Sequence, residues 1–93
     1  MMQVKFSKSA IKFLKKLNHQ QETRIKSKIV LLRTALENKG ALPFDELDIK
    51  KLKGTWQGFY RIRSGQSRII FTFRLEAEKI YIYDICFRGD AYD

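Results

Sequence analysis

Apolar residues recur at two different periods along this chain, and the change falls near its middle. After a short strand candidate at Gln3 to Phe6, residues Ala10, Phe13, Leu14 and Leu17 recur at helical spacing. Ser7 or Ser9 can cap that helix, because a hydroxyl there accepts from a free backbone N–H of the first turn. Asn18 offers a second cap, with Gln21 in the capping-box position. Ile25, Ile29, Leu32 and Leu36 then mark the apolar face of a longer helix, and Gly40 is a stop signal. The two helices read as a hairpin. Residues 41–55 hold the only proline and keep no sustained period. They read as a connection, with a short turn of helix or strand near Leu47 to Leu52. From Trp56 onward the period is two. Strands are predicted over about 56–63, 67–74 and 79–87, with turns at Ser64-Gly65-Gln66-Ser67 and Glu76-Ala77-Glu78.

Pairing the first two of these strands as a hairpin sets Ile62 opposite Ile69 and Tyr60 opposite Phe71, with Gly58 on the same face. That face must pack on the helices. The expected architecture is α+β: an N-terminal strand and a helical hairpin packed on one face of an antiparallel β-sheet meander. The opposite face carries Arg61, Arg63 and Arg68, with Arg63 directly across the ladder from Arg68. Like charges so placed are destabilising, by a few tenths of a kcal/mol to about 1 kcal/mol. Such a cluster points to an anion that it meets; the alternative is a solvated strand face. Trp56, Tyr60, Tyr81 and Tyr83 read as core aromatics rather than ligand contacts.

Length and composition narrow the possibilities. The chain has 93 residues, room for one domain (1–93) with a single two-layer core. No apolar run approaches the roughly 20 residues of a membrane span, and lysines interrupt the N-terminal apolar positions too often for a signal peptide. The lone cysteine, Cys86, cannot form an internal disulfide and suits a reducing cytoplasm. Within IYIYDICF it reads as a buried, inert thiol. The lone histidine, His19, reads as a surface residue in a first helical turn. One cysteine and one histidine are too few for a structural zinc site.

The formal net charge is +9, from 19 basic and 10 acidic residues, which suits a polyanionic partner. Residues 1–40 carry ten Lys/Arg against Glu22 and Glu37, net +8; residues 41–93 carry nine against eight acids, net +1. The excess therefore lies on the helical half, where a solvated face accounts for many lysines. The arginine cluster sits in the nearly neutral half.

Two stretches, KLKGTWQGFYRIRSGQSRIIFTF (51–73) and ICFRGDAYD (85–93), resemble the RelE/ParE superfamily of bacterial type II toxins. The lysine-rich helical hairpin agrees in order and length, so the resemblance covers the whole chain. It rests on a leucine-basic-glycine step, a strand of alternating basic residues, a glycine turn, an arginine leading an apolar strand, and a terminal Arg-x-x-x-Tyr. It implies a cytoplasmic toxin silenced by a partner antitoxin whose acidic or amphipathic segment wraps the basic surface. In the RelE branch it implies cleavage of messenger RNA on the ribosome, with no metal and no cofactor. By position, Arg61 and Arg63 match two strand residues that act in proton transfer and charge stabilisation. Arg68 matches a phosphate ligand and Arg88 a residue that steadies the phosphate or leaving group. Tyr92 matches a tyrosine that orients or stacks on the substrate base. Lys51 and Lys53 match contacts to the RNA backbone.

The sequence departs from that pattern at Phe87, where many relatives carry histidine before the final arginine. Arginine at position 61 is also a poor proton acceptor, because a guanidinium stays charged. The general base is then Tyr92, Asp90 or a ribosomal group. Two other readings compete: a ParE-like toxin acting on DNA gyrase, a branch without the basic cluster, and a nucleic-acid-binding module without catalysis.

Overall fold

The computed structural model describes residues 1–87, so Arg88, Asp90 and Tyr92 lie outside the described residues. In chain order the elements are β1 (Gln3–Phe6), α1 (Lys8–Lys16), α2 (His19–Lys39), β2 (Ile49–Lys51), β3 (Tyr60–Ser64), β4 (Ser67–Arg74) and β5 (Lys79–Phe87). A single 3-10 turn, Gly54–Trp56, stands between β2 and β3.

Local chemistry sets the helix ends. The Ser7 hydroxyl accepts from the Ala10 N–H at 3.0 Å and starts α1. Asn18 Oδ1 accepts from the Gln21 N–H at 2.8 Å while Gln21 Oε1 accepts from the Asn18 N–H at 3.3 Å, a complete capping box for α2. Gly40 ends α2 in the left-handed region, at φ +63°, where a residue without Cβ carries no steric cost.

The strands form one sheet in the order β1-β5-β4-β3-β2. β2 through β5 make the antiparallel meander that the alternation predicts, with Ile62 opposite Ile69 and Tyr60 opposite Phe71. β1 is the difference: it lies parallel to β5, so the sheet is mixed. A parallel neighbour needs a long crossover, and here everything between Phe6 and Lys79 provides it. The Ser7 N–H continues the pairing by donating to the Ile82 carbonyl at 3.0 Å. Both helices cover one face. Ala10 and Leu14 of α1, and Ile25, Ile29, Leu32 and Leu36 of α2, are buried against Ile62, Ile69, Phe71, Ile80, Ile82 and Ile85.

The strand predicted from position 56 begins only at Tyr60. Trp56 and Phe59 alternate with polar positions, but the backbone there turns. The Trp56 N–H donates to the Lys53 carbonyl and the Phe59 N–H to the Trp56 carbonyl, and Gly58 lies at φ +94°. Gly58 is therefore a loop residue, not a member of the Tyr60–Ile62 face. Leu52, Ile70 and Cys86 are also buried, outside the helix-covered core. No helix among the described residues is long and apolar enough to cross a membrane.

Candidate functional site

The second face is where the basic residues meet. β3 and β4 are joined by the two-residue turn Gly65-Gln66, which pairs Ser64 with Ser67 and sets Arg63 directly opposite Arg68. Gly65 has φ +61°, the backbone such a tight turn requires. Two rows then run across the sheet. One is Arg63, Arg68 and Cys86; the other is Lys50, Arg61, Ile70 and Asp84. Arg61 and Arg68 are buried, at 4% and 9% exposure, so the solvated strand face considered from sequence is not what forms. Arg63 is the most open of the three, its side chain 34% exposed.

Asp48, which no local pattern marks, holds two of these arginines. Asp48, immediately before β2, accepts on its carbonyl from Arg61 Nη1 at 2.9 Å and from the Arg63 N–H at 3.4 Å. Its carboxylate lies 3.6 Å from Arg61 Nη1 and 3.9 Å from Arg63 Nε. The Asp48 backbone is left-handed, at φ +50°, a region that aspartate tolerates better than most residues. Nothing local in LDIKK marks Asp48, because its arginines are a strand away. Lys50 was equally unmarked until β2 paired with β3 and set it opposite Arg61.

Lys51 pairs with Tyr60 instead, one position out of phase with Arg61, and so belongs to the other face of the ladder. Lys51 and Lys53 line a groove of about 520 Å³ with Gly54, Gln57, Phe59 and Tyr60. The structure therefore unites Arg61, Arg63 and Arg68 but sets the two lysines apart from them. Arg88 and Tyr92 lie outside the described residues. Phe87 ends β5 and packs its ring edge-on against Phe13 of α1, with ring centres 4.9 Å apart.

The aromatics also depart from expectation. Tyr60 packs on Phe71 at the core, but Trp56, Phe59 and Tyr83 form an edge-to-face triad with ring centres 5.2 to 5.5 Å apart. Tyr83 is 46% exposed and so is not a core residue.

Removing the Asp48 carboxylate, which lies beside Arg61 and Arg63, tests this electrostatic picture. Asp48→Asn retains a residue suited to the left-handed backbone, so it is expected to fold. Its binding to a single-stranded polyanion at low salt should tighten, and the slope of log K against log salt should steepen by up to about 1. A shallower slope, measured by fluorescence anisotropy across a salt series, would mean that Asp48 orients the arginines more than it competes for them.

No protein-family model matches this chain, and no curated protein matches it. Solved structures do. The RelB-RelE antitoxin-toxin complex from Methanococcus jannaschii matches at 31% identity over 96% of this chain and 95% of that chain, with a TM-score of 0.67. The archaeal RelE-RelB complex from Pyrococcus horikoshii matches at 29% identity over 97% and 98%, with a TM-score of 0.69. The YoeB-YefM complex from Staphylococcus aureus, at 22% identity and a TM-score of 0.67, shares the fold over 95% of this chain and 98% of that chain. Two helices on one face of a five-stranded mixed sheet make the fold of a RelE-like toxin. The chain belongs to the RelE/ParE superfamily of toxin-antitoxin toxins.

Proposed function

We propose that this chain acts as a single RelE-like toxin domain that cleaves messenger RNA in the ribosomal A site and so arrests translation. The observation that carries the reading is the Arg61, Arg63 and Arg68 cluster, held by paired strands in a chain of this family. In such cleavage the ribose 2′-OH attacks the adjacent phosphorus and the 5′-oxygen of the next nucleotide leaves. The reaction needs a proton acceptor for the 2′-OH, positive charge on the pentavalent phosphorane, and a proton for the leaving oxygen. Guanidinium groups suit the second requirement, since they stay charged and present forked donors that match phosphate oxygens. Strand backbone holds them at fixed spacing, which a flexible loop would not.

Arg88 and Tyr92 are assigned to the leaving-group side and to the substrate base. Proton abstraction falls to Tyr92, Asp90 or a ribosomal group. The partner is an antitoxin whose acidic or amphipathic segment covers the basic face, as RelB accompanies RelE in the M. jannaschii complex. A gyrase-directed activity is not favoured, because that branch lacks the basic cluster.

The test is controlled expression in a bacterial host, comparing the original chain with Arg68→Ala and Arg88→Ala and mapping transcript 5′ ends. Growth arrest with new cuts inside translated codons, lost in both variants, is the expected result. Arrest with intact messages and lost DNA supercoiling would overturn it.

A further inference from the structure

We propose that the Trp56, Phe59 and Tyr83 triad is a stacking platform for an unpaired base of the RNA whose phosphate the arginines hold. This assignment rests on the ribonuclease reading for the identity of its ligand. Its geometry stands independently.

The platform begins with a break in the sheet. Between β4 and β5 the register shifts: Ile70 pairs with Asp84 but Phe71 pairs with Ile82, leaving Tyr83 as the extra residue. A bulge of this kind re-aims a side chain, and bulges are over-represented next to active sites. This one is pinned from both sides. The Ser7 hydroxyl donates to the Tyr83 carbonyl at 2.6 Å, and Asp84 Oδ1 accepts from the Ser9 hydroxyl at 2.7 Å and the Ile85 N–H at 2.9 Å. The Tyr83 backbone is therefore fixed by the start of α1 as well as by its own strand.

The ring is fixed as well. Trp56 meets it edge-to-face at 5.2 Å and Phe59 at 5.5 Å. Phe59 is held in turn by its loop, where the Thr72 hydroxyl donates to the Gly58 carbonyl at 2.8 Å and the Leu52 N–H to the Phe59 carbonyl at 3.0 Å. A ring immobilised this firmly while 46% exposed has already lost the freedom that stacking would otherwise cost. Phe59 also lines the groove that Lys51 and Lys53 line, so cationic side chains for a backbone share that groove with one member of the triad.

Spacing relates the triad to the arginines. Arg68 pairs with Cys86, three positions along β5 from Tyr83. At about 3.3 Å per residue that is roughly 10 Å, which a single strand of RNA covers within a nucleotide or two. Burial at the core explains Tyr60 and Phe71. It does not explain an exposed tyrosine clamped on a bulge within reach of three arginines.

The test uses the purified full chain and a fluorescein-labelled, single-stranded RNA hexamer at low salt, with a matched hexamer carrying one abasic position. Tyr83→Leu retains apolar packing against Trp56 and Phe59 but cannot stack, and Tyr83→Phe retains the ring. Tyr83→Leu should weaken binding roughly tenfold with the salt slope unchanged, and Tyr83→Phe should bind within about twofold of the original chain. The loss should shrink on the hexamer whose abasic site falls at the platform. Equal binding by Tyr83→Leu, an equal loss on every abasic hexamer, or no binding by the original chain would overturn the proposal. So would unchanged RNA binding with weakened capture of an antitoxin peptide, which would make the triad a protein-binding surface.

Message cleavage on programmed ribosomes is measured alongside. If the original chain cuts and Arg68→Ala does not, while Tyr83→Leu binds normally, the platform falls and the ribonuclease stands. If nothing is cut but Tyr83→Leu loses affinity for RNA, the ribonuclease falls and the platform stands.

Discussion

Arg63→Ala is expected to slow message cleavage by about 10²–10³ while leaving the fold intact, the cost of removing one preorganised cation from a developing negative charge. The magnitude follows from where Arg63 sits. Its side chain is the most exposed of the three hairpin arginines, so a phosphate can reach it without unpacking the sheet. Its neighbour at 3.9 Å is the Asp48 carboxylate, itself 58% exposed, and such a pair contributes little to stability. Arg61 behaves differently. Its buried Nη1 ties β3 to the Asp48 carbonyl at 2.9 Å, so Arg61→Ala should lose stability and activity together. Single-turnover cleavage on programmed ribosomes, with thermal melts of each variant, separates the two. An Arg63→Ala protein that melts normally and cuts at the original rate would remove Arg63 from the phosphate site. Arg63→Lys should recover only part of the loss, because an ammonium keeps the charge without the forked donors.

Phe71→Ala has the largest expected effect on stability, a loss of about 3–5 kcal/mol. Phe71 is fully buried at the centre of the sheet, with Tyr60 stacked 5.5 Å away. It stands where the register shift begins, so deleting its ring leaves a void that neither helix can readily fill. Domains of this size are typically stable by about 5–15 kcal/mol, so the variant should be marginal or unfolded at growth temperature. Urea unfolding followed by circular dichroism measures the change. A loss under about 1.5 kcal/mol, the range of well-tolerated core swaps, would mean that Phe71 is not central to the core.

Local pattern and tertiary pairing agree at the β3–β4 hairpin and part just before it. Alternation and a glycine turn were enough to place Arg63 opposite Arg68, because a two-residue loop admits only one register. The same alternation misled at Trp56 to Phe59. There the rule of two continues in sequence, but Gly58 at φ +94° and the 3-10 turn interrupt the strand. A tyrosine in an apolar strand is expected in the core, and Tyr83 is 46% exposed. The bulge that re-aims it depends on how β4 and β5 pair, and the residues IYIYDICF do not carry that information alone.

Features set by near neighbours were legible in the chain. The Ser7 and Asn18 caps, the Gly40 stop, the apolar face of α2, and the strands at 67–74 and 79–87 all follow from spacing and side-chain chemistry within a few residues. Only the pairing of distant strands makes β1 parallel to β5, brings Asp48 to Arg61 and Arg63, buries Arg61 and Arg68, and re-aims Tyr83 at the bulge. Each joins groups separated along the chain by loops whose path no local pattern specifies. A carboxylate before β2 can neutralise an arginine of β3 only once the meander has brought the two strands into register.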